Sequence, residues 1–163
     1  MNRLPVMATL LALACTAFAA PLKTDPANSS VTAVFKQMNV PIEAPFRRFT
    51  ASVDYDPAQP QASKANVQID ATTLDVGDED MNKEIGKKEW FNTAQYPRAS
   101  FVSTAIRPGA AGKLAVDGKL TIKGRTANVS FPLTVRQNGG KYVFEGQLPI
   151  RRTAFNVGEG DWL

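Results

Sequence analysis

Histidine is absent from the 163-residue chain, and cysteine occurs once, at Cys15. Without histidine the chain lacks the usual general base at neutral pH and the commonest ligand for zinc, copper and haem iron. One cysteine, lying in the N-terminal apolar segment, excludes a disulfide framework within the chain. Blocks of like charge are also missing. The 19 basic and 15 acidic residues are scattered, so the net charge of +4 builds no nucleic-acid footprint. There is no internal repeat and no low-complexity tract.

These absences leave no catalytic constellation. A Ser-His-Asp or Cys-His arrangement cannot be assembled. The acidic pair Asp78 and Asp80 stands at the start of a helical stretch, where it balances the helix dipole, and shows no metal-loop pattern. Gly158-Glu159-Gly160 is too short for a phosphate cradle and reads as a turn. The expectation is a protein that is not an enzyme and carries no cofactor.

Residues 1–19 read as a signal peptide. Arg3 gives a positive start, Leu4 to Ala14 is apolar but too short to span a bilayer, and Ala17-Phe18-Ala19 offers small residues for cleavage after Ala19. That predicts export and leaves 20–163 as the mature domain. The alternative uses Leu13-Ala14-Cys15 as a lipoprotein site, with Cys15 carrying the anchor.

The chain is otherwise rich in alternation. From Lys113 to Val135, Leu114, Val116, Gly118, Leu120 and Ile122 share one face of a first run, and Ala127, Val129, Phe131, Leu133 and Val135 share a face of a second. A period of two over this length means β-strand, dry on one side. Gly124, with Arg125 and Thr126 after it, supplies the hairpin connection. Further strands are predicted at Ser29 to Met38, ended by Pro41, Glu43 and Pro45; at Phe49 to Tyr55; at Lys64 to Ala71; at Ala99 to Ile106; and at Lys141 to Arg151, after the turn Gln137-Asn138-Gly139-Gly140. Asp78 to Lys88, acids first and lysines last, predicts one short helix with Met81 and Ile85 on its apolar stripe. Seven strands and one helix make an all-β meander, and residue pattern alone leaves a sandwich and a barrel open. Inward sets that mix Phe with Ala and Leu with Gly fit either a lined cavity or tapered packing.

Three segments in order carry a resemblance: EWFNTAQYPRASFVSTAI (Glu89 to Ile106), GKLTIKGRTANVSFPLTV (Gly118 to Val135) and IRRTAFNVGEGDW (Ile150 to Trp162). Together they resemble the YceI-like, lipocalin-like polyisoprenoid-binding family. The resemblance implies an antiparallel β-barrel of about eight strands around a long apolar cavity, a periplasmic or secreted location, an isoprenoid or prenyl-quinone-type lipid as ligand, and often a homodimer. The histidine that the family often has in its first strand is replaced here by the segment Phe35-Lys36-Gln37-Met38. The family's last strand, beyond Gly-x-Gly-x-Trp, is also missing, so an unpaired edge is expected between the strand at Val31 to Lys36 and that at Tyr142 to Ile150, unless Ala154 to Leu163 folds back to cover it.

Read from the residues alone, the aromatics are plain core. Under the resemblance they become cavity wall. The lining then expected is Phe35, Phe49, Val53, Val67, Ile69, Phe101, Leu120, Ile122, Val129, Phe131, Phe144, Ile150 and Phe155, with Arg151 and Arg152 meeting an anionic head group at the mouth. The function expected is non-enzymatic carriage or sequestration of a long apolar isoprenoid, with contact to a membrane surface. The alternative is an interaction module for a membrane-bound, quinone-linked electron-transfer protein.

Overall fold

The computed structural model describes residues 21–162; the expected signal peptide, its cleavage site and Cys15 lie outside them. Nine strands and one α-helix form: β1 (Pro21–Leu22), β2 (Val31–Gln37), β3 (Val40–Phe46), β4 (Phe49–Asp54), β5 (Lys64–Asp70), α1 (Glu79–Ile85), β6 (Arg98–Pro108), β7 (Leu114–Ile122), β8 (Arg125–Asn138) and β9 (Lys141–Gly146). Seven of them make one antiparallel sheet in the order β1-β4-β5-β6-β7-β8-β9, and β2 and β3 make a separate hairpin. The all-β expectation holds, and the sheet curls into a half-barrel.

The predicted central hairpin is the best-defined part of this sheet. β7 and β8 pair from Leu114↔Leu133 to Ile122↔Arg125 across a two-residue turn at Lys123 and Gly124. The alternating set of β7 is buried at every position. Gly118 is needed where it stands: a β-carbon there would lie 2.4 Å from the Phe101 ring and 2.6 Å from the Val102 carbonyl oxygen. The small inward residue is therefore filled by a neighbouring phenylalanine and leaves no void at that point.

Three sequence expectations need correction. Pro41, Glu43 and Pro45 do not end the first strand region; they lie inside β3. β3 pairs only with β2, and the Pro45 carbonyl accepts from the Asp75 N–H at 3.0 Å, on the side away from β2. Proline is tolerated on such an edge because its missing N–H is not required by the ladder. The last strand does not reach Arg151; β9 stops at Gly146, and Ile150 is 47% exposed. Met81 is 40% exposed, so the helix presents a weaker apolar stripe than its spacing suggests. The helix itself is as expected, with the Asp78 carboxylate accepting from Met81 N–H at 2.9 Å and Lys83 in its last turn.

β3 and β4 form one bent ribbon. Beyond β5 it continues along residues 70–75, through Asp70 N–H to the Arg48 carbonyl, Arg47 N–H to the Thr73 carbonyl, and a bridge between Phe46 and Leu74. The β2–β3 hairpin thus projects from the end of the sheet where β4 begins. The edges of the sheet are β1 and β9, not the Val31–Lys36 strand and β9 as expected, because β2 pairs only with β3 outside the sheet.

The C-terminal segment does not cover that edge. It closes an end of the sheet instead. Phe155 and Val157 are buried with Phe101, Leu120 and Ile122, while Gly158 and Glu159 N–H groups both donate to the Glu89 carbonyl at 2.8 Å. Lys123 Nζ, its side chain 6% exposed, donates to the Asn156 carbonyl at 2.6 Å and pairs with Glu159 at 3.2 Å. Gly158 has φ +82°, and a β-carbon on it would collide with the Arg152 guanidinium, so glycine serves both the turn and the clamp.

Candidate functional site

The concave face of the sheet is a trough whose dryness is graded. Its floor is β6 and β7, where Ala99, Phe101, Ile106, Leu114, Val116, Leu120 and Ile122 are buried. Its walls are only half-buried. On one side stand Ala65, Val67 and Ile69 of β5 with Phe49, Val53 and Tyr55 at β4; on the other stand Ala127, Val129, Phe131, Leu133 and Val135 of β8 with Tyr142 and Phe144 of β9. The register places these residues on one face, since Phe49 opposes Ile69, Val53 opposes Ala65 and Val135 opposes Phe144. Apolar side chains partly open to solvent along a concave surface can gain by covering with a ligand. Each 100 Å² covered is worth about 2.5 kcal/mol before the costs of binding.

The walls meet without a backbone ladder. Tyr55 sits edge-on to Tyr142 at 5.1 Å and to Phe144 at 5.4 Å, and Lys141 pairs with Asp25 at 3.2 Å. Nearby, the segment after β1 bows away from β4 and leaves a recess of about 300 Å³ lined by Leu22, Pro26, Phe49 and Ala51 among others. A second recess, of about 490 Å³, borders the trough at Leu114, Val116 and Phe131 beside the β6–β7 connection. At the opposite end β9 pairs with β8 only from Leu133 onward, so β8 from Arg125 to Pro132 has no β9 partner, and the turn at Arg152–Phe155 packs against β8 instead.

The sequence-predicted lining divides into four groups. Phe101, Leu120 and Ile122 form the buried floor, and Val67, Ile69, Val129 and Phe131 form half-buried walls packed on it. The Phe101 and Phe131 rings meet edge-on at 5.4 Å. Phe49, Val53 and Phe144 share the face as half-buried side chains without joining that cluster. The remaining three are placed elsewhere. Phe35 lies on the separate hairpin, opposite Ile42; Ile150 lies past the end of β9; and Phe155, 2% exposed, plugs the end of the trough rather than lining an open wall. Tyr55, Leu133, Val135 and Tyr142 belong to the walls and were missed, although the same alternation marks them.

The two arginines differ. Arg152 is committed to the chain's own carbonyls, donating to Val157 at 3.0 Å, Gly158 at 3.2 Å and Trp162 at 2.6 Å. This corrects its expected head-group role: its donors hold the C-terminal plug. Arg151 remains exposed at the start of that turn. At the same end the Trp90 ring meets that of Trp162 at 5.3 Å, tilted by 48°, and its Nε1 is buried without an acceptor among the described residues.

Polar clusters elsewhere have structural roles. Ser130 donates to Asp117 at 2.6 Å, and Arg107 pairs with the same carboxylate, which these hydrogen bonds hold below the usual range. A serine that gives its proton to a carboxylate so stabilised is not activated for attack. No group of three or more potential metal ligands occurs among the described residues.

The chain matches the YceI-like domain over residues 22–162. Its fold is similar to that of BcnA from Burkholderia cenocepacia, at 48% identity and a TM-score of 0.84, covering 86% of this chain and 88% of that one. It also resembles, in fold, a polyisoprenoid-binding domain from Saccharophagus degradans, at 16% identity and a TM-score of 0.59, covering 86% and 78% of the two chains. A UPF0312 protein of Shewanella baltica is 32% identical over 104 residues, which cover 64% of this chain and 51% of the relative. The chain thus spans about half the length of the curated relatives it matches first.

Proposed function

The chain belongs to the YceI-like family, and from that premise we propose that it binds a long apolar isoprenoid or prenyl-quinone-type lipid in the trough, carrying or sequestering it without chemical change. The observation that carries this reading is the graded concave face: buried along β6 and β7, yet half-buried on both walls from Phe49 and Val67 round to Phe131 and Phe144. A flexible polyprenyl chain is held by area removed from water and needs few polar contacts. The polyisoprenoid-binding domain of similar fold supports the ligand class. The absence of histidine from the sequence supports a binder over a catalyst.

In this reading the ligand's tail lies along β8, over Val129, Phe131, Leu133 and Val135. Of the two expected arginines, Arg151 is the one left for a polar head, at the start of the turn beside β8. The protein works after export to the periplasm. The test is extraction of the purified protein into organic solvent followed by mass spectrometry. A prenyl lipid near one per chain supports the proposal. Repeated recovery of empty protein that takes up no added prenyl quinone contradicts it and favours the rival, a module that engages a membrane-bound electron-transfer protein.

A further inference from the structure

We propose that the tip of the β2–β3 hairpin is a membrane-docking element, inserting Met38 and Val40 shallowly into a phospholipid surface while Lys36 contacts head-group phosphate. Met38 is 95% exposed, Val34 63% and Val40 60%, the three most exposed large apolar side chains among the described residues. Met38 and Val40 stand at one two-residue turn, while Val34, opposite Glu43, lies farther down on the other face of the hairpin. That turn is built against local preference: Met38 and Asn39 both adopt positive φ, 49° and 66°. A methionine β-carbon disfavours this conformation; neither position of this turn is glycine, whereas Lys123-Gly124, with Lys123 also at φ 49°, and Gly139-Gly140 each contain one or more. The sequence therefore keeps a large apolar residue where folding gains nothing from it, in both conformation and solvation.

Charge selects the occupant. From Phe35 to Ile42 the only ionisable side chain is Lys36, exposed and cross-strand from Pro41; Glu43, opposite Val34, lies farther from the turn. Farther down, Arg47 and Arg48 are paired with Asp75 and Asp70. An uncharged apolar tip with one lysine beside it matches the boundary between acyl chains and anionic head groups, where an aliphatic stem lies in the apolar layer and its ammonium reaches phosphate. No helix among the described residues is long and apolar enough to cross a membrane, so contact of this kind stays at the surface. The hairpin also projects from the end of the sheet where β8 has no β9 partner. The docking surface stands on the hairpin alone. The lipid-carrier reading gives it a use, since a water-insoluble ligand must be taken from a bilayer.

The experiment measures co-sedimentation of the purified protein with vesicles of phosphatidylethanolamine and phosphatidylglycerol. The double variant Met38→Asp/Val40→Asp is expected to partition about tenfold more weakly or worse, with an unchanged far-ultraviolet spectrum and thermal midpoint because both side chains are exposed. A Met38→Trp variant reports from the tip itself: relative to the wild type, added vesicles blue-shift its emission and brominated lipid quenches it. Equal partitioning of wild type and double variant overturns the proposal, as does a Met38→Trp signal that ignores vesicles. Wild-type self-association that the double variant abolishes, without vesicle binding, assigns the tip to a second copy and also overturns it. Uptake of a prenyl quinone from detergent solution is expected to be equal in both chains. If neither chain takes it up from any source, the lipid-carrier reading fails, while the vesicle result still decides the docking surface.

Discussion

Replacing Gly118 by alanine is the sharpest test of how the trough floor is packed. The added β-carbon would sit 2.4 Å from Cε2 and Cζ of Phe101 and 2.6 Å from the Val102 carbonyl oxygen. The ring can swing away, although Phe131 leans on it at 5.4 Å and takes up part of the space it would need. The carbonyl cannot move far, because β6 and β7 are paired there, Val102 opposite Lys119 and Ser103 opposite Gly118. Overpacking costs about 1–3 kcal/mol, and the backbone contact puts this substitution near the top, about 3 kcal/mol. For a domain of this size that lowers the thermal midpoint by about 6–12 °C. The control is Gly140→Ala, where a β-carbon meets nothing within 4 Å and the expected change is within about 0.5 kcal/mol. Urea unfolding of both variants and of Gly118→Ala/Phe101→Leu measures the effect and its coupling to the ring. If Gly118→Ala unfolds at the wild-type urea concentration with the wild-type slope, the floor is not filled as described.

Three further outcomes follow from particular contacts. Phe131→Trp, which adds volume to a half-buried wall residue, is expected to lower lipid load at least severalfold while the circular dichroism spectrum stays native; an unchanged load with a native spectrum places Phe131 outside the pocket. Arg152→Ala removes the donor to three carbonyls, is expected to destabilise by about 2–3 kcal/mol, and should speed amide exchange over residues 155–162; wild-type protection there would show that the plug holds without it. Asp75 accepts from Arg47, Asn82 and Gly77, and these bonds hold its carboxyl well below the usual range. A depressed folded-state value stabilises above the unfolded value of about 4 and is lost as pH falls through the folded one, so the acid limb of the unfolding curve below pH of about 4 should flatten in Asp75→Asn.

Much of the fold could be read from alternation, and the failures have physical causes. The β7–β8 hairpin was legible because burial alternates along it, every second residue of β7 being buried and β8 alternating half-buried with exposed from Ala127 to Pro132. β3 was not, because Pro41 and Pro45 count as breakers unless it is known that the strand's one ladder is with β2 and that beyond it only the Pro45–Phe46 end meets residues 74–75. The overlong reading of β9 has the opposite cause. Gly146, Leu148 and Ile150 keep the period of two, yet the chain leaves the sheet after Gly146 so that Phe155 and Val157 can plug its end. That plug depends on Lys123, Arg152 and the Glu89 carbonyl, groups far apart in sequence whose meeting has no local signature. For the same reason Arg152 read as a head-group ligand when it serves the backbone. Wall residues of the trough were largely recoverable from alternation, which also marks Tyr55 and Tyr142; what alternation could not show is their mutual contact, which joins strands that do not pair.

Photo-crosslinking tests the central claim most directly. A polyprenyl lipid carrying a diazirine near its tail end, equilibrated with the purified protein and irradiated, should label peptides containing Val129 to Val135 of β8 and Phe144 of β9, at about one label per chain, and excess unlabelled prenyl quinone should suppress the signal. Labelling confined to the outward-facing residues of these strands, or labelling that excess competitor does not reduce, would contradict a lipid site in the trough.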